Sequence, residues 1–252
     1  LHLSIRRQRQ MCIRDRNIEC PLVSGTFIER PNRFITLVKI DRKIVRSHLP
    51  DPGRLKELLV PGVEVLLRPA SNQFKRKTKF STVMVRFEGK LISLVSALPN
   101  KFVRECLENS VLPMFHNYRL IRSEIPHGNH RFDFLLNDYE HSPFYLEVKS
   151  VTYVKNGLAQ FPDAITARGT RHVFALTELT KKGIETGILF VCQRDDPTNF
   201  SPMWNRDPIF SKALFEASKI GVNIWCISTK ITETEITFKK EIPVNLELIK
   251  SD

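Results

Sequence analysis

Cysteine is scarce in this sequence, and the few cysteines are not arranged as metal ligands or disulfide partners. Five are scattered along the 252 residues, an odd number that includes no C-x-x-C pair. This distribution argues against a disulfide framework and against a structural zinc site, and it is typical of a chain kept in a reducing compartment. We therefore predict a cytoplasmic protein.

Long apolar runs are missing as well. No stretch of about 18 uninterrupted apolar residues is present, so the sequence predicts no membrane span. The opening residues 1–16 carry arginines but have neither an apolar core nor a small-residue cleavage site, which excludes an ordinary signal peptide. We interpret residues 1–16 as a leader outside the fold.

Negative charge is in short supply in the front half of the chain only. Residues 17–117 contain 17 Lys and Arg against nine Asp and Glu, whereas residues 118–252 contain 17 of each kind. The formal net charge of +12 therefore comes entirely from the front half and the leader. Such asymmetry favours a polyanionic partner held by one part of the molecule, the alternative being a surface that lysine merely keeps soluble.

Short strand patterns dominate residues 17–97. Five or six of them, separated by turn residues and by one predicted short helix at "DPGRLKELL", indicate a small antiparallel β-barrel of the oligonucleotide-binding (OB) type. The basic loop "KRKTK" at 75–79 is placed where such barrels often grip nucleic acid. We predict one domain here and a second one over residues 98–252.

The second half, residues 98–252, reads α-β-β-β-α-β-α-β, which predicts a mixed sheet with helices on its faces. Acidic residues interrupt two of its strands, "RFDFLL" at 131–136 and "FYLEVKSV" at 144–151. Because side chains alternate along a strand, Glu147 and Lys149 share one face. If the two strands form a hairpin, Asp133 joins them, and Glu124 from the preceding strand could complete the group.

Two carboxylates and a lysine on one sheet face suit metal-assisted phosphodiester hydrolysis. Asp133, Glu147 and the backbone carbonyl of Val148 offer the oxygen ligands that Mg²⁺ or Mn²⁺ takes. Lys149 would activate water or stabilise developing charge, with Glu124 as an outer carboxylate. The alternative is that these charged side chains only line a solvent-exposed face of the sheet.

The arrangement of Asp133 and Glu147-Val148-Lys149 resembles the PD-(D/E)XK nuclease signature, with Phe132 where the motif's name has proline. Together with "HLPDPGRLKELL" (48–59) and "FPDAITARGTRH" (161–172), these motifs closely resemble the sugar fermentation stimulation protein family. The resemblance implies an OB-like barrel followed by a restriction-endonuclease-like α/β domain. It also implies DNA binding and a regulatory link to sugar (maltose) metabolism.

Several basic residues outside the acidic strands are candidates for nucleic-acid contacts. Arg168 and His172 lie four residues apart on a predicted helix, so both can face a phosphate. Arg54 follows a Pro-Gly turn near a predicted helix start and could meet phosphate there. Asp163 is expected to cap the region that follows it, the alternative being that it supports Lys149. The loop adds a nonspecific grip that salt would weaken; it comprises Lys75, Arg76, Lys77 and Lys79.

Three functions stay open at this point. The leading hypothesis is a Mg²⁺-dependent nuclease acting on DNA or RNA with little sequence preference. The second is a DNA-binding regulator that uses an inactive nuclease fold, and the third is a carboxylate-pair hydrolase acting on a sugar, which would need no metal. No membrane partner is expected, and the sequence leaves the oligomeric state open, a dimer included.

Overall fold

The computed structural model describes residues 21–70, 77–128 and 130–248, and the backbone of residues 13–14. The α-helices in these ranges are α1 (Leu98–Glu108), α2 (Ala167–Lys181) and α3 (Pro208–Ile220). The strands are β1 (Ile13–Arg14), β2 (Val23–Asn32), β3 (Ile35–Ile40), β4 (Lys43–His48), β5 (Glu64–Pro69), β6 (Phe80–Phe87), β7 (Lys90–Ser93), β8 (Arg119–His127), β9 (His130–Asn137), β10 (Pro143–Val151), β11 (Val154–Lys155), β12 (Leu158–Phe161), β13 (Glu185–Cys192), β14 (Asn199–Pro202), β15 (Asn223–Ile231) and β16 (Glu235–Ile242).

Strands β2 to β7 build the predicted barrel. Their order is β4-β3-β2-β5-β6-β7, and β4 also pairs with β6 in parallel through Ser47 and His48. This extra pairing closes the sheet on itself, as in an OB barrel. The apolar residues of the strands fill the interior around Val38, Val65 and Val85, all of which are fully buried. The OB-like prediction is confirmed.

The short helix predicted at "DPGRLKELL" does not form, and the segment is an irregular turn. Leu55 has a φ of 51°, which is incompatible with a right-handed helix. Leu55 is nevertheless buried in the barrel core with Leu58 and Leu59. The apolar residues that suggested a helix therefore fold inward from a turn.

The C-terminal domain is a seven-stranded mixed sheet of order β1-β16-β15-β13-β10-β9-β8. Strands β10, β13 and β15 are parallel, and β8, β9 and β10 form an antiparallel meander. This confirms the predicted α-β-β-β-α-β-α-β core. A small sheet of order β11-β12-β14, which the sequence pattern did not predict, lies beside it.

The expectation that residues 1–16 lie outside the fold is wrong for two of them. Ile13 and Arg14 pair with Ile236 and Glu235 at the edge of the large sheet. A short backbone segment can add to an open sheet edge because the edge strand offers unpaired amide and carbonyl groups. The other residues of the proposed leader lie outside the described residues.

The two helices on one face of the sheet start at side-chain caps. The hydroxyl of Thr166 accepts the amide of Gly169 at the start of α2, and Asp207 accepts the amide of Phe210 at the start of α3. The second oxygen of Asp207 accepts the amide of Thr166 at 2.8 Å. These bonds satisfy amides that a helix leaves unpaired and hold the two helix starts together.

Both faces of the large sheet are covered. On one side α2 and α3 pack over a core that includes Phe190 and Leu176. On the other side α1 packs over Leu146 and Val148, and this core continues into the barrel through Leu66 and Met84. The strand face carrying Glu147 is therefore buried, which excludes the alternative that Glu147 lines a solvent-exposed face of the sheet. None of the described helices is long and apolar enough to cross a membrane.

Candidate active site

Asp133 lies where two paired strands separate. The antiparallel pairing of β9 and β10 ends at Phe134 and Leu146, and Asp133 and Glu147 are the next residues along the two strands. Oδ2 of Asp133 accepts the amide of Val148 at 2.7 Å, and Oδ1 accepts Nδ2 of Asn100 from α1 at 2.6 Å. The Asp133 carboxylate thus accepts the Val148 amide in place of a backbone carbonyl of β9.

Glu147 is buried and holds two neighbours with one oxygen. Its Oε1 lies 2.5 Å from Nζ of Lys149 and 2.5 Å from Nδ1 of His172. Lys149 is on the same strand face, as the alternation predicted, and His172 comes from α2 above that face. Because an ionised carboxylate only accepts hydrogen bonds, both neighbours act as donors.

The two carboxyls have opposite pKa shifts. Burial raises the pKa of Asp133 to about 6, and the charge of Glu147 adds to this effect. Burial also acts to raise the pKa of Glu147, but the His172 hydrogen bond and the charge of Lys149 outweigh it and lower that pKa. Glu147 is therefore ionised at neutral pH, and Asp133 loses its proton only near pH 6.

One atom of this group has no partner. Oε2 of Glu147 is buried and accepts no hydrogen bond from the described residues. A buried carboxylate oxygen without a donor is costly, and a cation is one way to satisfy it. In a β-strand the N–H and C=O groups of one residue point toward the same neighbouring strand. Because the Val148 amide points toward Asp133 on β9, the Val148 carbonyl points toward β9 as well.

Oxygen atoms are thus available for a divalent ion, but the set is small. Within the described ranges, no group of three or more His, Cys, Asp or Glu side chains is placed to hold a metal. An ion at this site would rest on Asp133, Glu147, the Val148 carbonyl and water. That donor set fits Mg²⁺, which is usually bound through one or two carboxylates and keeps several waters.

Glu124 is not part of the site, which corrects the expectation that it joins the other acids. Its backbone has a φ of 55°, which breaks the regular alternation of β8. The side chain is 70% exposed and forms an ion pair with Arg131 at 3.6 Å. A strand pattern alone gives no warning of such a backbone change.

His172 also differs from the expectation. We predicted that it contacts nucleic acid together with Arg168, but only Arg168 is exposed. His172 is 5% exposed, its ring packs edge-on against Phe132, and its Nδ1 is engaged with Glu147. A buried ring with its nitrogen so occupied positions the carboxylate and cannot reach a phosphate backbone.

Asp163 links the two domains and does not cap α2, which Thr166 does. Its Oδ2 accepts the amides of Arg54 at 2.7 Å and Leu55 at 3.3 Å. The turn that precedes and includes Arg54 is therefore bound through its amides to a carboxylate of the other domain. The side chain of Arg54 remains exposed.

The predicted basic loop is only partly described. Lys75 and Arg76 lie outside the described residues. Lys77 and Lys79 are exposed just before β6, on the barrel surface. The sequence reasoning missed Asn100, the partner of Asp133, because an asparagine early in an amphipathic helix carries no distinctive signal.

Similarity to known protein families extends over nearly the whole chain. A family model described as "SfsA N-terminal OB domain" matches residues 28–94, and one described as "Sugar fermentation stimulation protein RE domain" matches residues 97–235. The boundary between the two matches falls between the barrel and α1. The two-domain architecture of the fold is therefore the one that these models describe.

Individual relatives are similar over the same extent. The sugar fermentation stimulation protein homolog of Clostridium tetani is 43% identical over 220 residues, which cover 87% of this chain and 95% of the homolog. The homolog of Moorella thermoacetica is 42% identical over 231 residues, or 91% and 100%. The solved structure of Pyrococcus furiosus SfsA in complex with Ca²⁺ is 27% identical, covers 94% and 98%, and superimposes with a TM-score of 0.82.

Proposed function

This chain belongs to the sugar fermentation stimulation protein family, and on that basis we propose that its C-terminal domain is a divalent-metal-dependent nuclease. One observation carries the proposal. Glu147 is buried with one oxygen held by Lys149 and His172, while its other oxygen has no partner among the described residues. An ionised carboxylate in that state beside a second carboxyl favours a cation.

Asp133, Glu147 and the Val148 carbonyl would hold the ion, which we expect to be Mg²⁺ or Mn²⁺. When bound, the ion would offset charge on the scissile phosphate and lower the pKa of a bound water. The Ca²⁺ complex of the Pyrococcus furiosus relative supports a divalent ion in this family. The pKa of Asp133, raised first by burial and then by the charge of Glu147, supports it too, because a nearby cation would stabilise the ionised carboxylate against both effects.

The remaining residues of the site prepare it for phosphodiester hydrolysis. Asn100 and the Val148 amide fix the Asp133 carboxylate, so its direction is set before any ligand enters. His172 fixes Glu147 in the same way. Lys149 keeps 13% of its side chain exposed, so its ammonium can orient an entering water or stabilise negative charge on the phosphate.

Nucleic acid is the substrate class that the rest of the molecule favours. The excess positive charge lies in the barrel half and outside the acidic sheet, which suits a partner rich in phosphate. Arg168, Lys77 and Lys79 are exposed and fit backbone contacts. We expect DNA, and RNA as a second substrate, with little sequence preference, in the cytoplasm. A regulatory link to maltose metabolism stays a prediction.

Cleavage assays test the proposal directly. Labelled single-stranded DNA, duplex DNA and RNA are incubated with Mg²⁺, Mn²⁺ or EDTA and with wild type, Glu147→Gln, Lys149→Met and Glu124→Gln. We expect cleavage only with metal, a loss of about 100-fold or more in the first two variants, and wild-type rates in Glu124→Gln. Glu124 is the matched control because its carboxylate is exposed and outside the site.

Calorimetric titration with Ca²⁺ gives a second readout that does not depend on turnover. We expect binding to wild type and Glu124→Gln and none to Glu147→Gln. Wild-type cleavage by Glu147→Gln would refute the proposal. Binding of DNA by every form with cleavage by none would instead assign the chain to the class of non-enzymatic DNA-binding regulators.

A further inference from the structure

A cleft of about 660 Å³ separates the barrel from the C-terminal domain. Its barrel wall includes residues 30, 32, 33, 51–56 and 59, and its other wall includes residues 150–153 and 160–166. Residues 150–153 follow Lys149 directly, so the cleft begins where the strand of the proposed active site ends. Its volume lies in the range of about 300–1,000 Å³ that is usual for ligand sites.

The width of this cleft is fixed by direct bonds between the domains. Asp163 accepts the amides of Arg54 and Leu55 from the barrel turn. Within the C-terminal domain, the Asp163 carbonyl accepts Nη1 of Arg206 at 2.7 Å, which holds this residue in place. A Cβ atom on Gly53 would lie 2.7 Å from Oδ2 of Asp163, so only glycine allows this close approach. The cleft is thus preformed and does not depend on a ligand to assemble it.

The cations of the barrel wall fall into two groups. Arg30 donates to four backbone carbonyls at 2.6–3.1 Å, those of Arg33, Asp51, Gly53 and Arg54, and so holds the turn in shape. The other cations, Arg33, Arg54 and Lys56, are exposed. No ion pair joins them to an acid in the ranges that the structure describes.

Two acids, Asp51 and Asp163, line the cleft against the four cations Arg30, Arg33, Arg54 and Lys56, so the cleft keeps a net positive charge. Asp51 is buried with a pKa raised to about 6 by burial, and its Oδ1 accepts the amide of Gly53. Asp163 is engaged by the turn amides. The opposite wall adds the half-buried ring of Tyr153 and the side chain of Ile165, which is 79% exposed. Positive charge on one wall therefore faces apolar surface on the other.

We infer that this cleft binds a single-stranded segment of nucleic acid next to the scissile bond, with phosphates on Arg33, Arg54 and Lys56 and a base against Tyr153 and Ile165. A charged groove that follows the backbone, combined with an aromatic surface for bases, is how sequence-tolerant single-strand sites are built. A duplex keeps its bases stacked and paired, and it cannot insert one here without opening. The inference rests on the proposed nuclease function and narrows its substrate.

Fluorescence anisotropy in EDTA tests the inference without any cleavage step. A labelled short single strand and the matching duplex are titrated with the full chain, with Arg33→Glu/Lys56→Glu, and with the control Arg42→Glu/Lys43→Glu. The control reverses two exposed charges of the barrel at the β3–β4 turn, outside the cleft. We expect the cleft variant to bind the single strand about tenfold or more weakly, with a much smaller loss for the duplex and no such difference in the control.

Aromatic variants provide the second arm. Tyr153→Ala should weaken single-strand binding about tenfold, whereas Tyr139→Ala, an exposed tyrosine in the β9–β10 turn, should not. Equal losses in the cleft and control charge variants, or no loss in Tyr153→Ala, would overturn the inference. Cleft-dependent binding without metal-dependent cleavage would instead overturn the nuclease proposal and leave the binding site standing.

Discussion

Nδ1 of His172 lies 2.5 Å from Oε1 of Glu147, and both side chains are almost completely buried. A helix on one side of the sheet thereby fixes the direction of a carboxylate on a strand. The same oxygen accepts Lys149, so the three groups form one network, and the other oxygen of Glu147 is left without a partner among the described residues.

Removal of His172 should therefore destabilise the fold and alter Glu147. We expect His172→Ala to cost about 1–3 kcal/mol of unfolding free energy, because a buried acceptor loses a donor. Urea denaturation measures this loss. The control is Arg171→Ala, an exposed neighbour on α2, whose unfolding free energy should stay within about 0.5 kcal/mol of wild type. The pKa of Glu147 should rise in His172→Ala, which carboxyl-carbon NMR titration detects; an unchanged pKa would contradict the positioning role.

Stability should depend on pH through Asp133. Because its pKa is raised to about 6 in the folded chain, the folded state binds this proton more tightly than the unfolded state. The resulting stabilisation is complete below the ordinary carboxyl pKa and is lost as pH rises to about 6. Asp133→Asn cannot titrate, so its stability relative to wild type should increase by up to about 3 kcal/mol between about pH 4 and pH 7.

Urea denaturation across that pH range checks the Asp133 prediction. Asp41→Asn is the control, since Asp41 is exposed in the β3–β4 turn and asparagine tolerates its φ of 51°. A stability difference for Asp133→Asn that does not change with pH would show that Asp133 titrates like an ordinary carboxyl.

The contact between the domains predicts a specific coupling. Gly53→Ala should be strongly destabilising, because the new Cβ would lie 2.7 Å from Asp163 Oδ2 and 2.9 Å from Asp51 Oδ1. In an Asp163→Ala background one of these clashes is gone, so Gly53→Ala should cost about 1 kcal/mol less there. A double-mutant cycle by denaturation measures this, and strictly additive effects would mean that the turn does not rest on Asp163.

Hydrogen exchange offers an independent check of the same contact. The amides of Arg54 and Leu55 should exchange faster in Asp163→Ala than in wild type, since they lose their acceptor. Asp163→Asn keeps an acceptor oxygen and should show an intermediate rate. Protection that is identical in all three proteins would contradict the assigned bonds.

The described part of the basic loop should contribute to the salt dependence of DNA binding. Lys77→Gln/Lys79→Gln should reduce the slope of log affinity against log salt by about 2, because each lysine that is removed leaves about one phosphate without its cation. Binding titrations over a range of salt concentrations measure this. An unchanged slope would remove these lysines from the binding surface.

Residue alternation was sufficient to predict that Glu147 and Lys149 are neighbours. Glu147 and Lys149 share a face by alternation, whereas Asp133 lies beyond the end of the β9–β10 pairing and is held by the Val148 amide and Asn100. The fold class followed from the same patterns, since short strands with turn residues and then alternating helices and strands leave few arrangements. Alternation and turn residues involve positions close together in the chain, so both can be recognised in the sequence alone.

Other features depend on backbone geometry or distant contacts and were missed. The φ of Glu124 turns its carboxylate into solvent, and that of Leu55 prevents a helix, although neither residue is a glycine. Asp163 meets Arg54 across 109 positions of sequence, so no spacing rule connects them. The burial of His172 is set by the packing of α2 on the sheet, and its place in the sequence resembles that of the exposed Arg168.

The pairing of β9 with β10 ends early, at Phe134 and Leu146. Continued by two residues, the ladder would pair Val148 with Phe132, and its backbone groups would be consumed by structure. Asp133 instead takes the Val148 amide, and Phe132 packs against His172 and into the core beneath α2 and α3. The proposed active site thus lies where the pairing of β9 with β10 is interrupted, and selection for greater rigidity alone would tend to extend that pairing.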